Sequence, residues 1–161
     1  MSFIQLHKET VKKDWIDYNG HMNVAFYVLA FDHATDAVLE KVHMGPAYRH
    51  SEEKSIFVVE SHVTYEGEVM ERDGLEIQSY ILGYDQKRLH LFHEMFSSTT
   101  KQKCATNEIM ALHVDLKTRK TAVFSSDLQN RLESLCRQSW QGGLPDQLGR
   151  QISRLGDWSK K

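Results

Sequence analysis

From Val24 to Phe31 every residue is apolar, and apolar positions continue at Ala34, Ala37, Val38, Leu39 and Val42. This spacing predicts a helix from Val24 to about Val42. A surface helix carries one apolar stripe. One that is apolar all round over its first turns is buried on most sides. The rest of the chain must therefore supply a large apolar cover. After Gly45-Pro46, read here as the end of that helix, the period changes to two. Val59, Val63, Tyr65 and Val69 fall on one face, with Glu60, His62, Thr64 and Glu66 on the other. Leu75, Ile77 and Ile81 follow after Arg72-Asp73-Gly74; Leu89, Leu91, His93 and Met95 follow after a turn over 83–87; Cys104 to Asp115 follows after a turn over 99–102. Strands joined by short turns are antiparallel hairpins. A further strand is expected between Phe3 and Lys13, and a short helix from Asp127 to Ser139 with Leu128, Leu132 and Leu135 at helical spacing.

The expected fold is α+β: an antiparallel sheet of five or six strands around one central helix. Residues 1–125 form the domain, and 126–161 a terminal helix and surface tail. The sheet's edges favour pairing with a second copy.

Composition narrows the function classes. At 161 residues, the chain is one domain with a self-sufficient core. With 20 Lys+Arg against 22 Asp+Glu, no basic field speaks for nucleic acid. Two cysteines exclude a disulfide scaffold and a four-cysteine zinc site. No apolar run approaches the ~20 residues of a membrane span. The polar N-terminus lacks the apolar core of a signal peptide, so a cytoplasmic address is expected.

The segment that carries chemistry lies just before the helix. Asp17, Asn19, His21 and Asn23 alternate with Tyr18, Gly20 and Met22. The first amides of a helix lack intrahelical partners and, with the helix dipole, favour an anion or a developing oxyanion. A carboxylate beside them can attack a carbonyl or activate water while an amide polarises that carbonyl. Asn and Asp before a helix also serve as turn and cap residues, and Asn23 fits the cap position. The segment alone leaves both readings open.

The run Asp17-Tyr18-Asn19-Gly20-His21-Met22-Asn23-Val24-Ala25-Phe26-Tyr27 resembles the signature of the hotdog-fold thioesterases. It is similar to the 4-hydroxybenzoyl-CoA thioesterase-like group and to the plant acyl-ACP thioesterases. Val63 to Val69 resembles that family's second strand, and Gln86 to His93 a channel-lining strand. Trp15 to Asn23, Asp36-Ala37, Lys87 to His90 and Glu108 to Met110 more narrowly resemble the betainyl-CoA thioesterases of bacterial carnitine breakdown. The resemblance implies an acyl-CoA thioesterase in which Asp17 is nucleophile or general base. It implies that Asn19 and His21 orient water or substrate, and that the backbone N–H near Val24 binds the thioester oxygen. It also implies a homodimer, with a tetramer as a further assembly, and a site at or near the subunit interface. No cofactor is implied beyond the coenzyme A of the substrate. The acyl-ACP branch adds an acidic residue on the following strand, for which Glu60 and Glu66 are the candidates.

A trimethylammonium acyl group would be recognised by aromatic faces. Trp15, Tyr18, Tyr27, Phe31 and Tyr65 are the rings on offer. Arg88, with Lys87, is either a solvated turn or a contact for CoA phosphates. The substrate-binding set is thus Trp15, Tyr18, Asn23, Val24, Tyr27, Glu60, Tyr65 and Arg88. No metal site is expected: His90 and His93, three apart on a strand, point to opposite faces. His33 reads as a hydrogen-bonded core or interface histidine, and Cys104 and Cys136 as inert thiols. Two alternatives keep their place. One is a hydratase or dehydratase using Asp17 and His21; the other is a non-catalytic acyl-CoA-binding module.

Overall fold

The computed structural model describes residues 2–141, 143, 145 and 147–150. The order is β1 (Gln5–Thr10), α1 (Val24–Lys41), α2 (Pro46–Glu52), β2 (Lys54–Tyr65), β3 (Gly74–Tyr84), β4 (Arg88–Ser97), β5 (Lys103–Asp115), β6 (Lys120–Thr121) and α3 (Ser126–Ser139). The strands form one antiparallel sheet in the order β1-β3-β4-β5-β2, with β6 paired to the end of β5. This is the α+β hotdog arrangement expected from the sequence.

The helix packs on the sheet through Tyr27, Ala30, Phe31, Ala34, Thr35, Val38 and Leu39. Opposite them, Leu89, Leu91, His93 and Met95 of β4 are all buried. Phe31 and Ala34 share a cluster with Trp15, Met22, Ile77 and Met95, and Val38 shares another with Leu89, Leu91 and Ile109. Leu128 and Leu132 of α3 join the latter cluster, so α3 is packed into the same body. Much of the expected surface tail lies outside the described residues.

Four expectations need correction. The helix is not buried on most sides: Val24, Val28 and Leu29 are 57%, 45% and 37% exposed in the single chain. Sheet covers only one flank of α1, and the apolar outer flank is left open. Second, Gly45-Pro46 does not end α1, which stops at Lys41 with His43 in the left-handed region; Pro46 instead opens α2. Proline is suited to a first helical turn, where its missing N–H costs nothing. Third, β2 carries a bulge at Val59, between the pairs Val58–Ala111 and Glu60–Met110. The extra residue switches parity, so Ile56 and Val58 share the core side with Ser61, Val63 and Tyr65. Finally, β2 forms no hairpin with β3: it pairs with β5 at the sheet's far edge, and Val69, fully buried, lies beyond its end on the 66–73 connection.

The sheet's two edges differ. β1 is short and carries His7, Lys8 and Glu9, which discourage edge pairing. β2 is twelve residues long and leaves Val58 and Val59 exposed.

Candidate active site

The polar segment before α1 is a small hairpin. Ile16 and Met22 pair across it, Asp17 N–H donates to the His21 carbonyl (3.1 Å), and Gly20 N–H donates to the Asp17 carbonyl (3.0 Å). Gly20 closes the turn at φ +85°, a conformation that suits glycine. The hairpin is tied down at both ends: Met22 N–H donates to the Val69 carbonyl (2.8 Å) and Asn23 N–H to the Trp15 carbonyl (2.9 Å).

Asp17 Oδ1 accepts from Asn19 N–H at 2.8 Å, a local turn that fixes the carboxylate's orientation. Among the described residues Oδ2 has no hydrogen-bond partner. At the helix start Asn23 does two jobs. Its Oδ1 accepts from Ala25 N–H (3.0 Å) and its carbonyl from Phe26 N–H (3.0 Å). Val24 N–H is left without a partner among the described residues. A carboxylate with a free oxygen thus stands one short loop from a free amide at the positive end of an 18-residue helix.

These groups line a cleft of about 380 Å³ formed by Asp17, Asn19, His21, Met22, Val24, Tyr27, Tyr65, Glu66, Gly67 and Glu68. The Tyr27 hydroxyl donates to the Gly67 carbonyl at 3.0 Å, and the Tyr65 ring meets Tyr27 edge-on at 5.3 Å. Burial pushes the Tyr27 phenol up to about 12, so it remains a donor through neutral pH. Burial also raises Tyr65. His21 Nε2 lies 3.5 Å from Glu68. Glu66 Oε1 accepts from the Gln147 amide (2.8 Å), whose own oxygen accepts from Lys103 Nζ (2.8 Å).

The structure therefore brings together Asp17, Asn19, His21, Val24, Tyr27 and Tyr65. It places the other candidates elsewhere. Trp15 is buried, stacked on Phe26 at 5.3 Å, and Phe31 is wholly core. Tyr18 is 96% exposed at the hairpin tip. Asn23 is the helix cap. Glu60 lines a second cleft with His62, His90, Glu108 and Met110, and Arg88 pairs with Asp85 (2.6 Å) at the β3–β4 turn. Glu68 was missed because it lies on the irregular 66–73 connection, where no period operates.

His90, His93, Cys104 and Cys136 are not among the residues that line this cleft. His93 and His90 do point to opposite faces, His93 inward. Burial pushes the Cys104 and Cys136 thiols up, away from a reactive thiolate. Among the described residues no helix is long and apolar enough to cross a membrane.

A hotdog sheet with a carboxylate hairpin at the helix N-terminus defines a thioesterase architecture, and the chain belongs to the thioesterase-like superfamily, whose family model matches residues 11–132. It is thus a thioester hydrolase of acyl-CoA. It is 34% identical to the betainyl-CoA thioesterase of Pseudomonas aeruginosa, over 91% of this chain and 92% of that protein. It is 36% identical to an L-carnitine dehydrogenase/betainyl-CoA thioesterase of Agrobacterium fabrum, over 91% of this chain but 30% of that longer protein. Among solved structures, a Staphylococcus aureus protein in complex with CoA superposes with a TM-score of 0.86 at 27% identity, covering 96% of each chain. A Pseudomonas putida protein described as a thioesterase candidate superposes at 0.81 and 34% identity, covering 97% of this chain and 99% of that one.

Proposed function

We propose that this thioesterase hydrolyses a small cationic acyl-CoA, betainyl-CoA foremost, at the Asp17 cleft. The observation that carries the reading is that Asp17 and the unpartnered Val24 amide line one cleft. The thioester oxygen lies at that amide, which stabilises the negative charge developing on it. Asp17 either attacks the carbonyl carbon, giving a mixed anhydride and CoA thiolate that water then resolves, or takes a proton from the attacking water. The products are the free acid and CoA. No cofactor beyond the substrate's own CoA takes part, and a cytoplasmic setting fits a CoA ester.

Two features favour a cationic acyl group. Glu66 and Glu68 join Asp17 in lining the cleft, with His21 the only basic side chain there among the described residues. Tyr27 and Tyr65 supply adjacent rings, and cation–π contacts are worth roughly 0.5–2 kcal/mol each. The relatives at 34% and 36% identity carry betainyl-CoA in their names.

We also read the working form as a homodimer. The open β2 edge and the outer flank of α1 put Val58, Val59, Val24, Val28 and Leu29 on the surface, and a second copy would cover them. In such a dimer the cleft would lie near the subunit boundary, since Val24 belongs to both.

The test is thiol release from betainyl-CoA and from its neutral tert-butyl isostere, with wild type and Asp17→Asn. Expected are a clear kcat/KM preference for betainyl-CoA and a loss of roughly 10²-fold or more in kcat for the variant. Equal kcat/KM for the two esters removes the cationic acyl group. Undiminished turnover by the folded variant removes Asp17.

A further inference from the structure

We propose that His7, Glu9 and His33 form a binding site for a divalent cation of the zinc class, which clips the edge strand β1 to α1. His7 and Glu9 are two apart on β1 and so share a face. His33 reaches them from α1. His33 Nδ1 lies 2.9 Å from Glu9 Oε2, and His7 Nε2 lies 3.5 Å from the same oxygen. The ligating atoms of all three residues lie within 4.8 Å of one another, the only such convergence of three His, Cys, Asp or Glu side chains among the described residues. The two imidazoles sit edge to face, with centroids 6.2 Å apart.

The donor set suits the ion. Two neutral imidazole nitrogens and one carboxylate are the three protein ligands of many zinc sites, with bonds near ~2.0–2.2 Å and a fourth place for water. Tetrahedral bonds of that length hold ligand atoms roughly 3.3 Å apart. The two spacings to Glu9, 2.9 and 3.5 Å, bracket that value, and the third lies within 4.8 Å, so side-chain adjustment brings all three onto one ion. Glu9 is the most enclosed of the three, with 14% of its side chain exposed, while His7 and His33 at 23% and 37% leave a way in. The triad shares no residue with the Asp17 cleft, so its role is structural. The sequence expectation of no metal rested on His90 and His93 and on reading His33 as a hydrogen-bonded core or interface histidine; it could not see that Glu9, 24 positions earlier and on a different element, is the partner His33 meets.

The experiment uses the full chain without a polyhistidine tag, stripped with chelator and dialysed against Zn2+. The same is done for the His7→Gln/His33→Gln double variant. Wild type is expected to take up one saturable equivalent and to gain thermal stability with Zn2+, since a ligand of the folded state alone raises its stability. The double variant should bind at least about tenfold more weakly, as loss of a ligand or its support commonly costs 10–100-fold. Co2+ added to wild type should give the visible absorption of a tetrahedral nitrogen–oxygen site, a readout that does not depend on the variant's folding. Absence of saturable uptake by wild type at micromolar Zn2+, or uptake by the folded double variant equal to wild type, overturns the proposal.

Discussion

His93 should make this protein acid-labile in a window that can be stated in advance. It is fully buried between α1 and the sheet, with Ser79 Oγ 2.8 Å from Nδ1 and Thr35 Oγ1 3.1 Å from Nε2. The Thr35 hydroxyl already donates to the Phe31 carbonyl at 2.9 Å, so it accepts from His93 Nε2–H. Nδ1 then accepts from Ser79, and the ring is neutral with both nitrogens satisfied. A second proton would force Ser79 to turn from donor to acceptor and would place a charge in the core, and burial lowers the pKa from 6.5 to about 3. A depressed folded-state value means the unfolded chain binds the proton first. Stability is therefore full above pH 6.5 and falls as pH drops from there toward 3. At pH 5 the unfolded histidine is some 1.5 units below its pKa. At ~1.4 kcal/mol per unit the loss is about 2 kcal/mol, a figure insensitive to the folded value so long as that lies below about 4. Against a net stability of ~5–15 kcal/mol this is a large fraction. The assay is urea unfolding at pH 7.5 and pH 5, for wild type and His93→Gln. The variant should be less stable at pH 7.5 and should lose about 2 kcal/mol less than wild type on going to pH 5, because other titrating groups cancel in the difference. Equal losses in the two proteins would refute the neutral buried ring.

Two further outcomes follow from the helix. Asn23→Ala removes the cap on Ala25 N–H and should cost about 1 kcal/mol, or ~2–4 °C in Tm for a domain of this size, with a fall in kcat as the start of α1 frays; differential scanning calorimetry and thiol release read the two effects. Val28→Glu places a charge on the open flank of α1 and should shift light scattering from a dimer toward a monomer; a wild type already monomeric at micromolar concentration contradicts the assembly.

What could be read from the chain alone was local. The helix from Val24, its Asn23 cap and the hairpins β3–β4 and β4–β5 rest on periodicity and turn residues and are present, whereas the expected β2–β3 hairpin is not, because β2 crosses to pair with β5. Pro46 was misread because proline stops a helix and also starts one; only the neighbouring geometry decides. The Val59 bulge has no compositional mark, yet it decides which valines face the core. At the site, the hairpin residues and Tyr27 were visible because they lie within a dozen positions of one another. Glu68 joins them only through the connection after β2, and Trp15, with the same credentials as Tyr27, was claimed instead by packing against Phe26.

The hydrogen bond from Gln147 to Glu66 joins the wall of the Asp17 cleft to a residue 81 positions downstream. Among the described residues the Asp17 hairpin is fastened by Val69 and Trp15, within the domain. Terminal segments tolerate substitution and changes of length far more readily than a buried hairpin does. The cleft wall at Glu66 and the hairpin at Asp17 thus lean on parts of the chain that can diverge at different rates. A lineage could reshape the cleft wall by rewriting the residues around position 147 while the hairpin at Asp17 stayed fixed.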